Sequence, residues 1–343
     1  YGHRDVDAYY DGWFDTGALW RGRRRRGCPS RTGRHEGTRD MRKLAIIEAP
    51  SVLGLRPTGV QDLPAALFDA GLLLHPGAAR AGRVEAPAYE PGRDAGTGIL
   101  NPVGIARYSV RLADAVGEVL DAGGFPLVLG GDCSILLGNL LALRRRGRYG
   151  LLFLDGHTDF YQPSAEPAGE AASMELALAT GRGPRLLTDL EGRGPLLRDE
   201  DVVAFGFRDA AESAEAGMQP LPPRLHAIDL DGVRTAGADA AARAAVGRLT
   251  GGDRAGHWVH LDVDVLDDTV MPAVDHRLPG GLTWSELESV LCTALAGDRA
   301  VGLDVTIFNP RLDPGGDIAA RLTECLRRGL SARTGHGDRA DGT

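Results

Sequence analysis

The chain has 343 residues, 43% of them apolar and 25% charged, with a formal net charge of −8. That length allows a sizeable buried core, and the acidic balance excludes a nucleic-acid footprint, which needs a clustered basic face. No apolar run reaches the ~20 residues that span a bilayer, and the four cysteines (Cys28, Cys133, Cys292, Cys325) show no CxxC spacing, so neither a disulfide framework nor a zinc finger is expected. A reducing, cytoplasmic compartment is the simplest setting, and neither a signal peptide nor a membrane partner is expected.

Residues 1–40 hold nine arginines against six acidic residues and have no apolar periodicity. They are expected to be a disordered extension, with Met41 as the natural start and no role for Cys28. A single domain is expected over 41–333, followed by a disordered tail over 334–343.

From residue 44 the chain alternates between strand-like and helix-like runs. The strands are expected at LAIIEA (44–49), PLVLG (126–130), GLLFLD (150–155), VVAFGF (202–207), LHAIDL (225–230), WVHLDV (258–263) and AVGLDVT (300–306). Most are nearly continuous apolar runs, as in strands buried on both faces. Helical patterns lie at 104–123, with Gly123 as the stop, and at 134–147, where Ser134 is the expected cap. Two more lie at 283–297, where Thr283 and Glu286 have capping-box spacing, and at 316–330. Strands alternating with helices predict an α/β fold with a parallel sheet covered on both faces. Ligands then bind outside the carboxyl ends of the strands.

Three strand ends carry chemistry. LGGDCS places Cys133 at a strand tip after two glycines, LDGHTDF gives Asp155, His157 and Asp159, and HLDVDVLDD gives Asp262 and Asp264. Residues two apart on an extended segment point the same way, so each set can converge. Converging carboxylates repel unless protons or metals neutralise them. Four carboxylates and a histidine at neighbouring strand ends therefore read as a divalent metal site, large enough for two ions. Asp267 and Asp268 read as turn residues, and His257 and His260 as ordinary strand residues.

These motifs resemble those of the ureohydrolases (arginase, agmatinase, formiminoglutamase and relatives), whose signatures GGDHS, DAHxD and SxDxDxxDP stand here as GGDCS, DGHTD and HLDVDVLDD. The later LPGGLTWSEL and GLDVTIFNP segments are similar to the family's GGLTxxE and GLDxxExNP. The resemblance implies a three-layer α/β/α domain around a mostly parallel sheet, two Mn²⁺ ions and a homo-oligomer. Asp155 and Asp262 would bridge the metals, with Asp159 and Cys133 completing one and His157 and Asp264 the other. A hydroxide shared by the metals would attack a guanidino or amidine carbon, with Asp264 taking the proton from water. Cys133 stands where the family has His. A thiolate is a soft ligand and Mn²⁺ a hard ion, so Zn²⁺, Fe²⁺ or Co²⁺ becomes a candidate.

Other positions depart from arginase. No histidine occurs between His157 and His226, where arginases place a shuttle histidine, and the guanidinium-binding Glu of GLDxxExNP is Ile307. The Arg208–Asp209 pair is present, but Ala211 replaces a second Asp. Glu170, Tyr161 and Asp209 are the candidate substrate contacts, while Glu175 is expected on a helix surface. The expected function is a metal-dependent C–N hydrolase acting on a small guanidine or amidine, though not a standard arginase. The alternatives are a catalytically silent metal-binding relative and a mononuclear zinc amide hydrolase.

Overall fold

The computed structural model of the chain describes residues 42–333. The expected Arg-rich extension with Cys28, and the expected tail over 334–343, lie outside the described residues.

Eight strands form one sheet: β1 (Leu44–Ala49), β2 (Ala78–Arg83), β3 (Phe125–Gly130), β4 (Gly150–Leu154), β5 (Val202–Phe205), β6 (His226–Ile228), β7 (His257–Asp262) and β8 (Ala300–Thr306). Their order is β2-β1-β3-β8-β7-β4-β5-β6, and every pairing is parallel. The chain passes from β3 to β4 across a gap that β7 and β8 later fill, so the central four strands are β3, β8, β7 and β4.

Alternation along each strand feeds two cores. Ile46, Leu127, Leu152 and Val259 pack on one face against the helices Trp284–Leu295 and Asp317–Ala332. Ile47, Val128, Phe153 and Trp258 pack on the other against Pro102–Asp121 and Leu136–Arg144. Side chains of successive strand residues point to opposite faces, so the continuous apolar runs give a three-layer α/β/α domain. The Thr283–Glu286 capping box is present. No described helix is long and apolar enough to cross a membrane.

Two expectations need correction. The strand β2, AARAGR, is not among the expected strands. It is an edge strand whose residues are nearly all exposed, so it carries no apolar run to announce it. The cap after β3 is Asp132, whose Oδ1 accepts from the Ser134 amide at 2.9 Å; Ser134 itself lies one residue inside the turn Cys133–Ile135.

Gly131 makes that turn possible. A Cβ there would lie 1.8 Å from the Ser51 carbonyl oxygen, the same oxygen that accepts from the Asp132 amide at 3.0 Å. Overpacking costs about 1–3 kcal/mol even where side chains can yield, and here the obstacle is backbone. Gly131→Ala should therefore lose about 3 kcal/mol or more, read as a lowered urea midpoint.

Candidate metal centre

The carboxyl ends of β3, β4, β7 and β8 meet at one place. Cys133 follows β3, Asp155 to Asp159 follow β4, and Asp262 ends β7, with Asp264 in the turn Val263–Val265. Backbone amides lock the acids in position. The His157 amide donates to Asp155 Oδ1 at 2.6 Å, the Gly156 amide to Asp264 Oδ1 at 2.9 Å, and the Asp264 amide to Asp262 Oδ1 at 2.8 Å. Gly156 is required by this closeness, because a Cβ would lie 2.7 Å from the Asp264 carbonyl oxygen and 2.6 Å from Arg208 Nη1. Arg208 braces the β7 turn by donating to the carbonyls of Asp264, Leu266 and Leu278.

Asp209 braces the β4 loop. Its Oδ2 accepts from the Thr158 amide and hydroxyl, both at 2.9 Å, and from the Ser213 hydroxyl at 2.8 Å. The expected substrate contact is thus a buried loop holder. Glu170 is also buried, with Arg56 Nε 3.6 Å from Oε1 and the exposed His276 3.9 Å from Oε2. Tyr161 is half-buried, and its amide donates to the Ser173 carbonyl.

All six expected ligands converge, and Asp155 is common to three groups whose ligand atoms lie within 4.8 Å of one another. These are Asp155–His157–Asp159, Asp155–Asp262–Asp264, and Cys133–Asp155–Glu175–His260. The third group holds two residues that the sequence reading set aside. Glu175 is fully buried, not on a helix surface. The short helix Glu175–Ala179 has no solvent face at its start, and nothing in a helical pattern distinguishes a charged residue turned inward. His260 is fully buried on β7; its register partner on β8 is Asp304.

The electrostatics call for a cation. Burial, then the neighbouring Asp159 and Asp264 charges, pushes the Asp155 carboxyl well above the usual range. Burial and Glu175 do the same to Asp159, and burial with Asp264 and Asp155 to Asp262. Burial, then Asp262, pushes the Cys133 thiol up. Asp264 is the exception. Burial opposes its ionisation, but the His157 ring, whose Nδ1 is 2.9 Å from Oδ2, holds it down at about 2. Asp155 Oδ2, both Glu175 carboxyl oxygens and His260 Nε2 are buried with no hydrogen-bond partner among the described residues. Buried polar atoms are normally paired. Orphaned acceptors around one point, on acids that repel one another, fit a divalent metal.

Residues 42–329 match the Arginase family. The chain belongs to that family. Among its relatives, an arginase of Bacillus caldovelox is 30% identical over 285 residues, covering 80% of this chain and 93% of the relative. An arginase of Staphylococcus aureus (strain COL) is 27% identical over 291 residues, covering 82% and 95%. The solved arginase structure from Bacillus caldovelox superposes with a TM-score of 0.73 at 27% identity, covering 84% of this chain and 98% of that one. The enzyme class follows from the family: a hydrolase acting on amidino C–N bonds.

Asp209→Ala removes the acceptor for one buried amide and two hydroxyls. A buried unsatisfied donor costs about 1–3 kcal/mol, so the variant should unfold at lower urea by about 2–3 kcal/mol. It should also retain less metal after gel filtration, because the Asp155–Asp159 loop loses its support.

Proposed function

We propose that the chain is a binuclear metal-dependent hydrolase of a small guanidino or amidine compound. The convergence of six ligand-type side chains on Asp155, at the carboxyl ends of four central strands, supports this most directly. Asp155 and Asp262 would be shared by the two ions, Cys133 and Asp159 would complete one, and His157 and Asp264 the other. Two bound divalent cations lower the pKa of water towards neutrality and supply a nucleophile for the amidino carbon. Manganese is the family's metal in this reading, with zinc, iron or cobalt favoured at the Cys133 side by the softness of sulfur.

The protein's own groups do the rest. Asp264, whose Oδ2 lies 2.9 Å from His157 Nδ1 at the centre, would take the proton from water. Burial around Asp155 and Asp262 excludes bulk water, which strengthens every charge interaction at the centre. Arg208 and Asp209 position the two acid-bearing loops.

Specificity departs from arginine. Ile307 stands where a buried carboxylate would grip a guanidinium bidentately, a strong recognition element. Ile307 is buried and has a φ of 71°, a region that β-branched residues rarely occupy. Such strain persists where surrounding structure over-determines it, as at functional sites. Glu170, beside Arg56 and His276, and the half-buried Tyr161 are the proposed substrate contacts. The three described cysteines are free, in keeping with a reducing, cytoplasmic location. The partner of the reading is a small molecule, with the chain assembled as a homo-oligomer. A second reading, a silent metal-binding relative, is favoured by Ile307 and Ala211 together.

The test is metal content and turnover together. The wild type, stripped with chelator and reloaded with Mn²⁺ or Zn²⁺, should bind two ions. It should release urea, a substituted urea or an amine from one member of a guanidine and amidine panel. Asp155→Asn should bind fewer than one ion and lose more than about 100-fold in rate, since even residues behind the ligands are worth 10–100-fold. Two ions with no turnover on any panel member would leave the silent relative as the better reading.

A further inference from the structure

We propose that Glu175 and His260 complete, with Cys133 and Asp155, a four-residue site for a thiophilic divalent transition metal, zinc foremost. The inference deepens the reading above and rests on it, because it renames the ligands of the Cys133-side ion.

Where the ureohydrolase pattern has His, this chain has Cys133; where SxDxDxxDP has Ser, this chain has His260. An imidazole is lost after β3 and gained on β7. The structure brings the two exchanged positions together: one ligand atom from each of Cys133, Asp155, Glu175 and His260 lies within 4.8 Å of every other. All four residues are at most 1% exposed.

His260 is arranged as a metal ligand. Its Nδ1 is 2.6 Å from Asp304 Oδ2, and Asp304 Oδ1 also accepts from the Trp258 indole. The ring stacks on Phe153, with centroids 4.8 Å apart. A carboxylate behind one ring nitrogen fixes the tautomer, orients the ring and raises the basicity of the other nitrogen, as in carboxylate–histidine–zinc arrangements. The other nitrogen, Nε2, is buried with no partner among the described residues.

Glu175 is the second anomaly. Its carboxyl oxygens are both buried and both unpartnered among the described residues. An unpaired buried carboxyl is costly, and no described arginine or lysine is paired with it by a salt bridge. The charged groups that act on it are Asp159, Asp155 and Asp262, so the side chain is aimed at the cluster.

The donor set then selects the metal. One sulfur, one nitrogen and two carboxylate oxygens suit a four-coordinate zinc site. An oxygen-rich group of Asp155, Asp262 and Asp264 with His157 stays beside it for a harder ion. The two ions would therefore differ in kind.

The experiment uses the full chain, stripped of metal and titrated with Zn²⁺ and Co²⁺. Cobalt reports its ligands: thiolate binding gives an intense near-ultraviolet charge-transfer band, and the visible bands follow coordination number. The wild type should show the thiolate band, and Cys133→Ser should lose it. Glu175→Gln keeps the side chain's shape and can still donate to its neighbour Asp159, and its Tm without metal checks that it folds. It should weaken zinc by at least about tenfold, with altered visible cobalt bands and a smaller zinc-induced rise in Tm. His260→Gln should do the same. If Glu175→Gln binds zinc and cobalt as the wild type does, while Asp159→Asn and Asp262→Asn lose the thiolate band, the inference is overturned. Hydrolysis of the panel compounds by the manganese-loaded wild type would then still stand. If Glu175→Gln loses the zinc and the wild type hydrolyses nothing, the site stands and the hydrolase reading fails. A wild type with no thiolate band under cobalt overturns the site outright.

Discussion

The structure is organised around the cost of burying Asp155. Its carboxyl is 1% exposed, one oxygen accepts from the His157 amide at 2.6 Å, and the other has no partner among the described residues. Asp159, Asp262 and Asp264 crowd it. Like charges in a low-dielectric setting are among the most expensive arrangements in a protein; here backbone amides hold Asp155, Asp262 and Asp264, and the His157 ring lies against Asp264. The acids are thus pre-set before any cation arrives. That is what a site needs in order to bind metal without reorganising.

The topology explains why the acids sit where they do. A parallel sheet gathers all carboxyl ends on one edge, and the delayed insertion of β7 and β8 places two late strands between two early ones. Cys133, the Asp155 loop, the Asp262 turn and Ile307 are distant in sequence and adjacent in space. Around them the chain uses arginine as structural glue. Arg208 gathers carbonyls from the β7 turn, while far from the site Arg148 and Arg254 neutralise the buried Asp201.

Much of this was legible in the sequence. The six inner strands announce themselves as apolar runs, as does the run that holds the edge strand β6, and the six expected ligands lie in short motifs at strand ends. The features not legible there share one cause: their meaning depends on tertiary neighbours. β2 is polar and exposed, and only pairing with β1 makes it a strand. Glu175 looks like any helical surface acid until the fold turns it inward. His260 alternates correctly with Trp258 on β7, so periodicity alone assigns it to the core. A histidine missing from one motif and present in another was the available signal, and it requires the two strand ends to be known neighbours.

Charge counting connects the two departures from the family pattern. The six ligands of that pattern, with histidine at 133, carry four negative charges, which two divalent cations balance. This chain adds a thiolate at Cys133 and a carboxylate at Glu175, both in contact with the same group. Ionised together, they leave the centre with a surplus of two negative charges. Burial and Glu175 push the Asp159 carboxyl towards its protonated form in the metal-free chain, and in the proposed reading a proton shared there and a cationic substrate would together meet the surplus. With Ile307 in place of a carboxylate that would grip a guanidinium, the attraction for a cation would in this reading come from the metal cluster itself. A guanidinium or amidinium held that way would be drawn by the whole centre and not by one bidentate partner. Its orientation then depends on shape, which Ile307, Tyr161 and Glu170 would set.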